Sequence, residues 1–394
     1  MRLRQILRSS RRGERRGQRG SHHKTVQHCF PPCSEGQCVT DPRRLAMAAA
    51  AAETGGHDRD FRAASAVEKS MRYRLLLSQL LPTPGMRVLA TRADVAVAIL
   101  SAPTEAALAA AIADADGVVL VLERPRLTAE IVRAAPRLRV ICRCGAGYDN
   151  IDVTALTERG IPLATSGAAN ADTVAEHALY LMLALAKRGP LLDRAVKGGG
   201  WPREFGAVEL RDRTCLVVGY GAIGRRIARL AAAFAMRVVV ADPHRGSDAA
   251  GDGHAAASLD QALPEADFVV LACALTPTTR GLIDAARLAG MRPNAFLVNV
   301  ARGAVVDEKA LAQALAAGQL GGAGLDVLET EPPRPGNPLL AFDNLVLTPH
   351  TAAFAETAYD RMAVKAAKNV LAGLDGRLGP ADVVNPEVSG SGHV

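Results

Sequence analysis

Three side chains late in this 394-residue chain have types and an order that could do chemistry together: Arg302, Glu331 and His350. A cation, a carboxylate and an imidazole are the groups a hydride-transferring site needs to handle a 2-keto acid. Ahead of them lies Gly219-Tyr-Gly-Ala-Ile-Gly224, a glycine turn of the kind that cradles phosphates. Taken singly, each has a plain structural reading. Arg302 could be a surface charge at a strand end, Glu331 a solvated acid before Pro332, and His350 a cap for the following helix. The turn could be a tight βα connection that binds nothing. All four in order favour the functional reading.

The elements around the turn are those a dinucleotide needs. Cys215-Leu-Val-Val218 has the length and β-branching of a buried parallel strand, and apolar residues from Ile223 to Ala235 recur at helical spacing. Strand, glycine turn and helix therefore follow one another, so that Gly219 permits the tight turn and Gly221 lets the backbone approach a pyrophosphate. Gly224 lets helix and strand pack closely. The helix start supplies unpaired N–H groups and a partial positive charge. A second strand, Arg237 to Ala241, ends in Asp242, 18 residues past Gly224. An acid there accepts hydrogen bonds from ribose hydroxyls and repels a 2′-phosphate, which points to NAD; Arg245 could meet a 2′-phosphate if Asp242 turned away.

Phe296 to Val300 reads as another buried strand and delivers Ala301-Arg302-Gly303 at its C-terminal end. Gly324 to Leu328 reads as a further strand before Glu331, and Leu345 to Thr348 leads through Pro349 to His350. Each candidate group thus follows a strand, on the sheet edge where open α/β sheets bind ligands.

The motifs GYGAIG, VNVARGAVVDE, GLDVLETEPP and LTPHTAA resemble those of the D-isomer-specific 2-hydroxyacid dehydrogenases, in order and spacing, over about residues 73 to 385. The resemblance, which extends to phosphoglycerate dehydrogenases and hydroxypyruvate reductases, implies two Rossmann-like domains and NAD as cofactor. It implies that Arg302 holds a substrate carboxylate and polarises the carbonyl, that His350 is general acid in reduction and general base in oxidation, and that Glu331 orients the imidazole and raises its pKa. Cofactor contacts are expected at Gly219, Gly221, Ala222, Ile223, Gly224, Asp242, Cys273, Val300 and Ala301. Thr173 would bond a cofactor phosphate and Asp326 the nicotinamide carboxamide; the Cys273 thiol reads as packing rather than chemistry. The segment around Trp201 is similar to the family's subunit-contact region, so a homodimer is expected.

Upstream, residues 73–77, 95–100, 117–122 and 138–142 read as four strands with helical patterns between them, two opened by Thr104 and Thr128 as N-caps. Alternating β and α argues for a second parallel sheet. Its last strand runs into Arg143-Cys-Gly-Ala-Gly147, a Gly-x-Gly turn whose N–H groups suit a carboxylate. In the family this loop covers the substrate, so Ala146 and Gly147 are candidate backbone contacts. Arg143 stands where phosphoglycerate dehydrogenases face the substrate's distal phosphate; the alternative is a structural arginine salt-bridged between domains. Ser166-Gly167-Ala168 replaces the family's frequent Thr-Pro-Gly before the crossover helix, and Asp212 replaces a frequent glycine.

The formal charge of +7 raises nucleic-acid binding, but its location removes the hint. Residues 1–70 hold 14 Lys/Arg against 7 Asp/Glu, and the remaining 324 residues hold 33 of each. The tail has too little apolar content for a core and is expected to be disordered. It reads as a basic arm, a transit peptide, or an upstream extension from a start codon assigned too early, with the extension preferred. Cys29, Cys33 and Cys38 lack a second matched pair for zinc, and His177 and His244 read as structural, so no metal is expected. Cys142, Cys144, Cys215 and Cys273 as free thiols fit a reducing cytoplasm. No apolar run reaches the roughly 18–20 residues a bilayer requires. No regulatory module is expected after residue 394, and so no serine-feedback domain.

The expected fold is α/β, two doubly wound Rossmann-like domains with the active site in the cleft between them. A substrate domain would comprise residues 71–168, completed by 352–394, and an NAD-binding domain residues 169–351. The expected activity is NAD-dependent hydride transfer on a D-2-hydroxy acid or 2-keto acid of phosphoglycerate or hydroxypyruvate type. The rival is an NAD(H)-sensing, corepressor-like binding protein of the same fold.

Overall fold

The computed structural model describes residues 71–121, 123–204 and 206–390. The basic tail and its Cys/His residues lie outside these. Two sheets, paired in parallel throughout, organise the described chain. The first takes β1 (Tyr73–Leu77), β2 (Val95–Ile99), β3 (Gly117–Leu120), β4 (Val140–Arg143) and β5 (Leu163–Thr165) in the order β2-β1-β3-β4-β5. The second takes β6 (Thr214–Val218), β7 (Arg237–Ala241), β8 (Ala255–Ala256), β9 (Phe268–Leu271), β10 (Phe296–Asn299), β11 (Gly322–Leu325) and β12 (Leu345–Leu347). Its order is β12-β11-β10-β9-β6-β7-β8, so the direction of winding reverses at β6. The carboxyl end of β6, where the glycine turn lies, is therefore the switch point at which such sheets bind ligands.

Both sheets are covered on both faces, which is why their strands read as apolar runs rather than alternations. In β6 all five residues are buried. Leu216 and Val218 pack into one cluster with Leu288, Leu311 and Leu315, and Cys215 and Val217 into the opposite one. That second cluster is roofed by α1 (Ala171–Lys187) and α2 (Ala222–Ala233), through Leu181, Met182, Ile227 and Ala228. On the first sheet, α3 (Glu356–Leu374) lays Met362, Ala366, Val370 and Leu374 against Leu75, Val119 and Val140. The chain therefore returns to its first sheet at the end. Asn385 secures that return: its Oδ1 accepts from Leu163 N at 2.9 Å and its Nδ2 donates to Ile161 O at 3.0 Å.

Thr104 and Thr128 cap their helices as the sequence predicts, accepting from Ala107 N and Ile131 N. Asp212 has a φ of 64°, the left-handed region that explains a glycine elsewhere at this place. Ser166 is buried and donates to Met362 O at 2.9 Å, tying the crossover to α3. Several elements differ from the sequence reading, among them β8 and β9, which it did not name, and the three that follow. A fifth strand, β5, lies beside β4; its three residues behind Pro162 are too few to show periodicity. A helix at Thr83–Leu89 was not foreseen, its start marked only by prolines. β11 spans Gly322–Leu325, earlier than the apolar pattern suggests, because Gly322 and Gly324 leave room for Leu181 and Leu185 of α1.

Candidate active site

The glycine turn is built by close approach. Gly219 has a φ of +92°, and a Cβ there would lie 2.7 Å from the Cys273 backbone; one on Gly224 would lie 2.0 Å from Gly219 O. Side chains are thus excluded from a strip of backbone where α2 begins, with Gly221 at its N-cap offering no side-chain partner to the first N–H groups. That bare strip fits a pyrophosphate. Asp242 accepts from Tyr220 N at 2.7 Å and from His244 N at 2.9 Å, so its carboxylate is fixed at the end of β7 beside the turn. Arg245, which the sequence offered as a partner for a 2′-phosphate, pairs with Asp248 at 3.2 Å on the surface. Burial pushes the Cys273 thiol up to about 11, consistent with a neutral packing role. Thr173 sits half-buried in the first turn of α1.

Ile223 and Val300 line the same cleft as Arg302, Asp326 and His350, so the turn and the candidate catalytic groups share one cavity that opens to solvent. His350 Nδ1 lies 2.8 Å from Glu331 Oε2. Glu331 Oε1 in turn accepts from Leu328 N at 2.9 Å, which holds the carboxylate from behind. His350 has a φ of 55° and its N–H donates to Asp326 O at 2.7 Å; its backbone is anchored to the end of β11. Burial alone would lower the imidazole's pKa, but the Glu331 hydrogen bond and the charges of Glu123 and Glu331 outweigh it, and the net shift is upward. For Glu331, burial is likewise outweighed by its two hydrogen bonds, and its pKa falls. Both shifts favour an imidazolium–carboxylate pair.

Arg302 follows β10, where Asn299 clamps the turn by donating to Arg302 O and accepting from Ala301 N. Its Nε donates to Asp149 Oδ1 at 2.7 Å and its Nη1 to Ala301 O at 2.8 Å. A Cβ on Gly147 would fall 1.5 Å from Arg302 Nη2, so the Nη2 end of the guanidinium occupies the space a side chain at position 147 would take. Asp149 and Asn299 escaped the sequence reading. A polar residue ending an apolar strand was a visible signal for Asn299; Asp149, 153 positions from Arg302, offered none.

Arg143, at the end of β4, also reaches the cleft but is 3% exposed. Its Nη1 donates to the carbonyls of Leu120, Val121 and Cys144, and its Nη2 to Glu123 Oε1 at 2.8 Å. Ala146 and Gly147 line the cavity beside it. Asp326 lines it too, yet its oxygens already accept from Thr348 Oγ1, Thr351 N and Ala352 N. His177 reaches Thr348 Oγ1 at 2.9 Å, a structural partner as its isolation suggested. Among the described residues no three His, Cys, Asp or Glu side chains group as metal ligands, and no helix is long and apolar enough to cross a membrane.

A doubly wound dinucleotide-type sheet, facing a second parallel sheet across a cleft with an arginine and an acid–imidazole pair, defines a class of nucleotide-dependent two-sheet proteins. Residues 179–352 match the family described as D-isomer specific 2-hydroxyacid dehydrogenase, NAD binding domain. The glyoxylate reductase of Korarchaeum cryptofilum is 39% identical over 292 residues, 73% of this chain and 87% of the relative. The D-3-phosphoglycerate dehydrogenase of Mycobacterium tuberculosis strain H37Rv is 39% identical over 304 residues, 75% of this chain and 57% of the relative. The crystal structure of Aquifex aeolicus D-lactate dehydrogenase, complexed with NAD and lactic acid, matches with a TM-score of 0.73 at 28% identity, covering 79% of this chain and 99% of that one. The chain belongs to the D-isomer specific 2-hydroxyacid dehydrogenase family and carries its NAD-binding domain. It spans about half the length of the curated phosphoglycerate dehydrogenases it matches.

Proposed function

We propose that this protein is an NAD-dependent oxidoreductase that interconverts a D-2-hydroxy acid and its 2-keto acid, of phosphoglycerate or hydroxypyruvate type. The observation that carries this reading is the His350–Glu331 pair, 2.8 Å apart, in one cleft with Arg302 and the glycine turn. NAD(H), when bound, supplies or accepts the hydride at C2. Arg302 binds the substrate carboxylate, exchanging or sharing its contact with Asp149, and its cationic face polarises the carbonyl. His350 is tethered through Nδ1, which leaves Nε2 to give its proton to the carbonyl oxygen in reduction and to take it back in oxidation. Glu331 holds the ring and keeps it protonated until transfer. Asp326, buried and accepting from the backbone after His350, fixes the loop that carries the imidazole and has capacity left for the carboxamide.

Trp201, Val196 and Tyr180 are exposed large hydrophobic side chains within residues 180–201, which supports a homodimer. Buried thiols at Cys142, Cys144 and Cys215 support residence in a reducing compartment. The test is NADH oxidation by the protein against glyoxylate, hydroxypyruvate, pyruvate, phenylpyruvate and 3-phosphohydroxypyruvate. Turnover of at least one, reduced by roughly 10²–10⁴ in His350→Ala, is the expected result. NADH binding with no turnover of any keto acid would overturn the enzyme reading in favour of a sensor.

A further inference from the structure

We infer that Glu123 is a specificity-determining residue: it makes the tail side of the cleft select 2-keto acids with an uncharged, hydrogen-bond-donating tail and reject phosphorylated or dicarboxylic ones. The inference rests on the activity proposed above and narrows its substrate class.

The argument is one of charge matching. The cleft is lined by three cationic groups, Arg143, Arg302 and His350. Each already has a carboxylate: Glu123 for Arg143 at 2.8 Å, Asp149 for Arg302 at 2.7 Å, and Glu331 for His350 at 2.8 Å. A 2-keto acid brings one carboxylate, which Arg302 can accept through the nitrogen that lies against Gly147. A second anion finds no vacant cation. Arg143 is screened from it: its side chain is 4% exposed, its Nη1 is spent on three backbone carbonyls, its Nη2 is on Glu123, and its one unpartnered nitrogen, Nε, is buried. What the cavity presents on that side is the Glu123 carboxylate, 44% exposed, with only Oε1 engaged by Arg143. Its Oε2 has no hydrogen-bond donor among the described residues. A free carboxylate oxygen accepts from a hydroxyl, amide or ammonium and repels a phosphate. The negative charge also reaches His350, where Glu123 helps to hold the imidazole's pKa up. Arg124 and Arg126, the neighbouring cations, are exposed and do not line the cavity.

The test compares D-glycerate with D-3-phosphoglycerate binding to the NADH-saturated full-length protein, followed by nicotinamide fluorescence, alongside kcat/KM for hydroxypyruvate and 3-phosphohydroxypyruvate. The wild type is expected to favour the unphosphorylated ligand at least about tenfold in both measurements, and Glu123→Gln to narrow that ratio at least about fivefold. Glu123→Ser, read the same way, covers the case in which the glutamine variant folds poorly. Tighter binding of the phosphorylated ligand by the wild type, as recruitment by Arg124 would give, overturns the inference; so does a ratio that moves less than about twofold in both variants. Should no keto acid turn over, the activity reading fails by itself, while the binding ratio still decides the role of Glu123.

Discussion

Arg143 and Arg302 both stand at the carboxyl ends of parallel strands, one from each sheet, and both reach the same cleft. Arg143 is the last residue of β4, where carbonyls at the end of β3 and that of its own next residue converge on its guanidinium and absorb it. Arg302 comes three residues after its strand, on a turn held by Asn299, and its head meets a glycine backbone and a single exchangeable carboxylate. A strand end therefore brings a side chain to the ligand edge, but the number of competing acceptors there decides whether it is free to bind anything. By that measure the head of Arg302 is free to exchange partners, as the proposed role requires, and Arg143 is held by the loop around it.

Arg302→Lys should break this contrast most visibly. A lysine loses the planar fork that spans carboxylate and carbonyl, and kcat/KM for the best keto acid is expected to fall by roughly 10²–10³ with the melting temperature nearly unchanged. Arg143→Met should do the reverse. Three carbonyls lose their donor while Glu123, half-exposed, regains water, so urea unfolding should show a loss of roughly 2–4 kcal/mol. A variant that keeps full stability but loses substrate binding would return Arg143 to the substrate.

The third expectation is subtler. In Glu331→Gln the imidazole keeps a hydrogen-bond partner but loses one of its two counter-charges, leaving Glu123 alone against burial, so its pKa drops from the raised value. In the proposed reaction keto-acid reduction draws on protonated His350, and that form is lost as pH rises through its pKa. The alkaline limb of kcat/KM for reduction should therefore move to lower pH, with a rate at neutral pH lower by roughly tenfold. An unchanged pH profile would remove Glu331 from the imidazole's titration.

Much of this molecule was legible in local pattern. The βα alternation, both threonine N-caps, and the strand–turn–helix at Gly219 are written in residues within a few positions of one another. So was the chain order that puts Arg302, Glu331 and His350 after successive strands. β5 was not legible, because three residues carry no period, nor was β11, whose glycines answer to α1 rather than to strand propensity.

The sequence by itself determined which groups stand at the ligand edge, since apolar runs, glycine turns and a parallel sheet's short-range rules leave little choice of where each strand ends. Only the tertiary structure decided what those groups face. Asp149 meets Arg302 across 153 positions, Glu123 meets Arg143 across 20, and Gly147 yields its surface to a guanidinium from the other sheet. The physical reason is that a charge in a cleft is governed by its nearest partners through space, and those partners come from elements that become neighbours only after both sheets have packed.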